Sequence, residues 1–324
     1  MPDLRSLEIF YWTARLRSFR GAAERLNTTQ PAVSQRVAAL EAECDCRLLD
    51  RGAGGVAPTP QGRRMVDYAE RMLRLRAEML EAVGGLARMT GTLRLGVAET
   101  IVHTWLGRFL ERAHAAFPGV TLDIEVDVTP RLAAGLADHS LDLAFLMGPV
   151  ADAGIANLPL CRYALAYCAS PRLDLPAEPV SRAALLARPI ITYPRSTRPT
   201  AEMIEALRGP DLPPPRIFGS ASLATILRMA ADGIGVALVP PDVARRELAE
   251  GTLRVVETEV LPPGLAFTAS YPAGPEDALA RRLAMLAVEV AAEGDADKPA
   301  LSGRIQNHDL RARCGASSSP QQEG

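Results

Sequence analysis

The sequence predicts an α/β protein in three parts: a small helical head, a long connecting helix, and a body of two α/β units. Three observations lead there. Between Ser18 and Arg51, two short helical stretches are separated by the break Asn27-Thr28-Thr29. From Thr59 to about Met89, a helical pattern runs without an internal proline. After Gly91 the pattern changes to alternating strands and helices, the order that builds parallel strands flanked by helices.

The head is built from local signals. Residues 3–16 read as a helix with Leu4, Leu7, Phe10, Tyr11 and Ala14 turned inward. Ser18 is suited to cap a second helix containing Ala22, Ala23 and Leu26. Asn27-Thr28-Thr29 ends it, because short polar side chains compete for the helical backbone. Thr29 then caps a third helix. Pro31 is tolerated in its first turn, where N–H groups lack helical partners. Val33, Val37 and Leu40 recur at spacings of four and three and form the buried stripe. Gln30, Ser34 and Gln35 fall on the remaining surface. This is the layout of a helix-turn-helix, whose second helix enters the DNA major groove by its N-terminal part. Residues 51–58, rich in glycine, read as a wing hairpin beside it.

Charge agrees with that placement. Residues 1–90 carry 14 Arg against 11 Asp and Glu, and residues 91–324 carry 22 Lys and Arg against 27 acids. A mildly basic head on an acidic body suits DNA binding at one end. Arg15, Arg17, Arg20, Arg36 and Arg51 are candidate phosphate contacts.

The helix after Thr59-Pro60 carries Tyr68, Met72, Leu75, Met79, Ala82 and Leu86 at alternating four and three, a coiled-coil seam. Such an exposed apolar stripe calls for a partner, and a second copy of the chain is expected.

In the body, Leu93 to Val97, Val120 to Val128 and Leu141 to Met147 read as strands, with helices at 106–117 and 131–139 between them. Cys161 to Cys168 and Pro189 to Tyr193 read as strands of a second unit, followed by a helix near 199–208. Ile217 to Gly219 is a short strand, Ser222 to Ala231 a helix, and Gly233-Ile234-Gly235 a turn into a buried strand ending at Pro240. Leu265 to Tyr271 is a late strand and 276–292 a closing helix. Residues 293–324 lack periodicity and read as a disordered tail.

The run Ala22-Ala23-x-x-Leu26-x-x-Thr29-Gln30-Pro31-Ala32-Val33-Ser34, then Val37-x-x-Leu40-Glu41 and Leu48-Leu49-x-Arg51, resembles the LysR-type transcriptional regulators. In the body, Leu93-Arg94-Leu95-Gly96, Leu141-Asp142-Leu143-Ala144 and Gly233-x-Gly235 through Leu238-Val239-Pro240 are similar to motifs of that family's effector-binding domain. The resemblance covers roughly residues 1–292. Cys44-Asp45 stands where relatives usually have Leu-Gly, Leu49 where they have Phe, and Gly54-Gly55 where many have a basic residue at the wing tip. Aspartate tolerates the left-handed turn that glycine would take, whereas glycine at the wing tip offers the minor groove no basic side chain.

The resemblance implies a winged helix-turn-helix at 1–58, a linker and dimerisation helix at 59–90, and an effector-binding domain at 91–292. That domain would have the architecture of type 2 periplasmic binding proteins. Its first subdomain would be 91–162 with 268–292, and its second 163–267. Base and phosphate contacts are expected from Arg20, Thr29, Gln30, Pro31, Ser34, Gln35, Arg36 and Arg51.

Ligands of parallel sheets sit beyond the carboxyl ends of strands. That rule selects Thr100, Ile101, Thr129 and Gly148 on one side, and Thr192, Arg195, Ser196, Ser220 and Ser222 on the other. Thr100 and Thr129 also align with the family's effector positions. With Arg195 or Arg198 as a carboxylate clamp, the expected effector is a small organic anion. For the hydroxyl residues, helix capping is the competing role.

Several classes are excluded or disfavoured. No apolar run reaches bilayer length, and Asp3 and Glu8 interrupt any signal-peptide core. Cys44, Cys46, Cys161, Cys168 and Cys314 form no paired framework, as in a reducing cytoplasm. His103, His114, His139 and His308 lack metal spacing, and no catalytic constellation or cofactor motif is present. The expected protein is therefore a cytoplasmic, non-enzymatic regulator without cofactor. Its partners are double-stranded DNA, a small-molecule effector and one or three further copies of itself, with RNA polymerase as a further partner open to a regulator. A solute-binding protein without regulatory role is the alternative, and an enzyme on an α/β scaffold the third reading.

Overall fold

The computed structural model describes residues 3–52, 55–84, 89–274 and 277–296. The head holds α1 (Leu4–Leu16), α2 (Phe19–Arg25) and α3 (Gln30–Glu43), then a hairpin of β1 (Leu49–Gly52) and β2 (Gly55–Pro58), and leads into α4 (Pro60–Gly84). Each helix starts on a side-chain cap: Asp3, Ser18 and Thr29 accept from the N–H of Ser6, Gly21 and Ala32. Three turns use left-handed residues: Arg17 (φ 50°) after α1, Asn27 (φ 49°) after α2 and Asp45 (φ 48°) after α3. Aspartate thus supplies the left-handed turn after α3 that glycine would otherwise take.

Val33, Val37 and Leu40 meet Phe10, Tyr11, Ala22 and Ala23 in one core, which Ala69 and Leu73 of α4 complete. Leu4, expected inward, is instead exposed at the first turn of α1, where no later helix covers it. Ile9 and Trp12 are buried, so α1 is covered on more than the face the head alone requires.

The body begins with β3 (Thr90–Val97), α5 (Glu99–Val102), α6 (Leu106–Ala116), β4 (Gly119–Val126), α7 (Thr129–Ala137), β5 (Leu143–Met147) and β6 (Ile155–Ala164). A second unit follows, with β7 (Ala166–Ala169), α8 (Arg182–Leu186), β8 (Ile190–Thr192), α9 (Arg198–Leu207) and β9 (Ile217–Gly219). It continues through α10 (Leu223–Ala231), β10 (Val236–Val239), α11 (Arg245–Ala249) and β11 (Arg254–Val256). The chain then returns by β12 (Gly264–Pro272) and closes with α12 (Ala278–Ala296).

The two sheets have strand orders β4-β3-β5-β12-β6 and β11-β7-β10-β8-β9. In the first, β3 pairs in parallel with β4 and β5, while β12 is antiparallel to both β5 and β6. The sheets are therefore mixed, because β6 and β12 carry the chain out of the first unit and back. The single strand expected from Cys161 to Cys168 is two strands broken at Leu165, where the chain passes from one sheet to the other. Short helices α5, α8 and α11 and strand β11 lie outside the sequence reading, being too short to show a period.

The described part of α4 runs to Gly84, and residues 85–88 lie outside the described residues. One boundary moves. At the other end α12 continues to Ala296, past the expected limit of 292; the rest of the expected tail, 297–324, lies outside the described residues.

Candidate functional site

On the head, α3 presents Gln30, Pro31 and Gln35 to solvent, with Ser34 half-buried beside them. Thr29, the cap of α3, is itself exposed. Arg20 and Arg36 are held by surface ion pairs, Arg20 to Glu24 at 2.8 Å and Arg36 to Asp3 at 3.0 Å. Exposed pairs of this kind contribute little, about 0–1 kcal/mol, so both guanidiniums can exchange their partners for phosphate. Arg51 lies on β1 opposite Val56 of β2. The Gly54 of the wing tip lies outside the described residues.

Glu41 has a role that motif matching alone did not reveal. Its Oε1 accepts from the N–H of Leu48 (2.8 Å) and of Leu49 (3.0 Å), tying the wing to the end of α3. The Thr59 hydroxyl accepts from Gly62 N–H at 2.9 Å and donates to the Arg47 carbonyl at 2.8 Å. Gly62 lies against the Leu48 carbonyl so closely that any Cβ would collide with it. Wing and linker helix are thereby fixed to the recognition helix, which a rigid DNA-reading unit requires.

On α4, Tyr68, Met72, Leu75 and Met79 are 47–66% exposed, while Ala69 and Leu73 on the other face are buried in the head. The Ala82 side chain and Leu86, expected in the same seam, lie outside the described residues.

The second candidate site lies between the two body units, where side chains meet across the gap. The first turn of α5 follows β3, and Glu99 there reaches the other unit. Its Oε2 accepts from the N–H of Leu223, the first residue of α10, at 2.6 Å. The Glu99 side chain is 20% exposed and stands 3.6 Å from His103 Nε2. Beside it, Thr100 Oγ1 and the Tyr193 hydroxyl are 3.3 Å apart, another bond between units. Burial pushes the Tyr193 phenol up, so it stays protonated and polar without charge.

The other expected effector residues divide. Ser220 and Ser222 flank the same helix start; Ser222 caps α10 through Thr225 N–H, and Ser220 Oγ accepts from Ser222 N–H. Thr129 Oγ1 accepts from Met147 N–H at 3.2 Å, joining the start of α7 to the end of β5. Gly148 is buried against Thr268, leaving no room for a Cβ. Arg195 and Ser196 are exposed in the turn before α9, and Arg198 pairs with Glu202 on that helix.

Two expectations are corrected. Ile101 is fully buried in the core of the body, in one cluster with Leu95 and Phe109, so its side chain has no surface for a ligand. Thr192 is fully buried and donates to the Leu238 carbonyl at 3.2 Å, so its hydroxyl serves the sheet. Glu99 and Tyr193, which cross the gap, were not singled out beforehand. Among the described residues no group of three or more His, Cys, Asp or Glu could hold a metal, and no helix is long and apolar enough to cross a membrane.

A winged helix-turn-helix head, joined by a long helix to two α/β units that face each other across a gap, defines a DNA-binding regulator with a ligand-binding body. The family model for the LysR substrate binding domain matches residues 87–292, and that for the bacterial regulatory helix-turn-helix protein of the lysR family matches residues 4–63. The chain belongs to the LysR family of transcriptional regulators, which are not enzymes.

Among curated relatives, the HTH-type transcriptional regulator CzcR of Bacillus subtilis is 27% identical over 238 residues, covering 74% of this chain and 80% of CzcR. A probable hydrogen peroxide-inducible genes activator of Mycobacterium avium is 28% identical over 269 residues, 81% of this chain and 86% of that protein. Among solved structures, full-length LysG from Corynebacterium glutamicum with bound effector Arg superposes with a TM-score of 0.60 at 20% identity, covering 90% of this chain and 98% of LysG. That likeness shows the fold.

Proposed function

We propose that this regulator is switched by a small organic anion bound between its two body units, and that it acts as an oligomer joined through α4. The observation that carries the effector reading is the Glu99 carboxylate seated on the Leu223 N–H. The chain already places a carboxylate there, at the start of a helix whose unpaired N–H groups favour negative charge. An effector carboxylate would displace Glu99 and engage the same N–H, with Thr100, Tyr193 and Ser220 as further partners. Arg195, exposed in the neighbouring turn, is positioned by the chain close to Tyr193 and supplies long-range attraction. Only a ligand that binds one arrangement of the two units better than another shifts their balance.

The other specific reading is a cationic effector paired directly with Glu99. Glu99→Gln separates the two, because it removes the charge and keeps the shape. Thermal-shift titrations with small carboxylates, amines and neutral aromatics are the experiment. For an anionic effector, carboxylate stabilisation is kept or strengthened in Glu99→Gln; stabilisation by amines alone, lost in that variant, would establish the cationic reading instead.

On the DNA side, Gln30, Ser34 and Gln35 read base edges while Arg20, Arg36 and Arg51 meet phosphates. Glutamine pairs well with adenine, so Gln30→Ala is expected to cost about 1–3 kcal/mol at one base position and to relax preference there. Selection of binding sites from random duplexes by both proteins checks this, and an unchanged preference removes Gln30 from the reading set. The exposed Tyr68, Met72, Leu75 and Met79 stripe supports pairing of linker helices between copies.

A further inference from the structure

The head and the first body unit meet at a joint that neither DNA contact nor effector binding uses. Asp142, just before β5, is its centre. Its carboxylate takes the Arg94 backbone N–H (2.9 Å) and the Arg94 side chain through Nε (3.0 Å) and Nη2 (2.8 Å). Arg25, the last residue of α2 in the head, adds Nη1 at 2.7 Å. The Arg25 guanidinium lies 4.7 Å from the centre of the Trp12 ring, a cation–π distance. Trp12 in turn meets His139 of the body edge-on, at 5.3 Å and 84°. Trp12 is only 4% exposed, and a cavity of about 580 Å³ between head and body adjoins these residues.

The position of this joint gives it a mechanical meaning. Arg94 lies in β3 and Asp142 precedes β5, two strands paired in parallel. Thr100 and Gly148 follow the opposite ends of the same strands. Leu95, Val97, Leu143 and Phe145 between the two ends are completely buried, and such close-packed interiors transmit displacement with little give.

We infer that the head and the first body unit move as one rigid body, joined by the Arg25–Asp142–Arg94 clasp and the Trp12–His139 contact. A rotation between the two body units then swings the DNA-contacting helix directly, not only through α4. The consequence for regulation rests on the effector reading above; the docking itself does not, and its test uses neither effector nor DNA.

The chain has two tryptophans, so Trp105→Phe leaves Trp12 as the sole reporter. Acrylamide quenching of its emission in the full chain is the measurement. In the Trp105→Phe protein Trp12 is expected to be shielded. Arg25→Ala in that background should raise the quenching constant several-fold, and high salt should do so without any change at Arg25, since the clasp is ionic. Arg20→Ala, on the same helix but away from the joint, should leave it unchanged. The salt arm keeps the test decisive if Arg25→Ala destabilises the head. Trp12 quenched as readily as in the guanidinium-unfolded chain would overturn the inference, and so would shielding that survives both Arg25→Ala and high salt.

Discussion

Two contacts cross between parts of this molecule, and they are built differently. At the head joint, one bond between opposite charges, Arg25 Nη1 to Asp142 Oδ1 at 2.7 Å, crosses from head to body, where three N–H donors of Arg94 hold the same carboxylate and Trp12 meets His139 edge-on. At the effector gap, one carboxylate receives a single neutral N–H, and two hydroxyls meet at 3.3 Å. The Arg25–Asp142 bond joins two opposite charges beneath an aromatic ring, whereas at the gap only the Glu99 acceptor is charged and its donor is a neutral N–H. The Thr100–Tyr193 bond joins neutral groups and contributes only about 0.5–1.5 kcal/mol. On this account the head joint holds more firmly than the gap. A ligand-driven switch needs both: one interface that yields and one that carries the motion onward.

The largest test of that contrast is Asp142→Ala. It removes the Arg25 bond across the joint and, with it, the three Arg94 bonds that hold the carboxylate in the body. Breaking a fully buried pair costs about 3–5 kcal/mol; with Arg94 34% exposed, the expected loss is reduced to about 2–3 kcal/mol. Glu99→Ala should cost less, about 1.5 kcal/mol, because a single charge-assisted bond is lost and water can replace it at the Leu223 N–H. Urea unfolding of the two variants checks the ranking, and equal losses would erase the distinction between the joints.

A smaller effect concerns pH. Burial, then the Arg25 and Arg15 charges, lower the His139 pKa below its ordinary value, against opposing pulls from Asp138 and Asp142. The unfolded chain then binds a proton that the folded chain refuses. Stability tied to His139 is therefore present above the ordinary histidine range, about pH 6.5, and declines as pH falls through it. Asp142 behaves oppositely in cause and alike in direction. Burial raises its pKa, but the Arg94 and Arg25 hydrogen bonds more than offset this and hold it below the usual value. Its contribution persists through that window and is lost only in stronger acid. His139→Asn, an asparagine being tolerated at φ 60°, should flatten the fall in melting temperature between about pH 7.5 and about pH 5.5, the window around the ordinary histidine value. An unaltered slope would show that the joint does not feel His139.

How far the sequence could be read follows the same division. Val33, Val37 and Leu40, the caps Ser18 and Thr29, and the left-handed Asp45 all report on neighbours within a few residues, and local spacing exposes them. Trp12 could not be placed, because what buries it includes His139, and its neighbour Arg25 finds a partner 117 residues along the chain. At the gap, the strand-end rule selected Thr100, Ser220 and Ser222, which lie beside the Glu99–Leu223 contact, and also Thr192, whose hydroxyl donates to the Leu238 carbonyl of β10. It passed over Glu99, since a glutamate opening a short helix reads as an ordinary solvated acid. Its meaning appears only when α10 of the other unit is set against it.

The central claim, that the gap yields while the head joint holds, is most directly tested by amide hydrogen exchange in the full chain carrying Glu99→Ala. The Leu223 amide and the first turn of α10 are expected to exchange faster than in the unaltered protein. The amides of α2 and of β3 around Arg94, which border the head joint, are expected to keep their rates. Slow exchange at Leu223 despite the loss of Glu99, or equal acceleration at both places, would contradict the account.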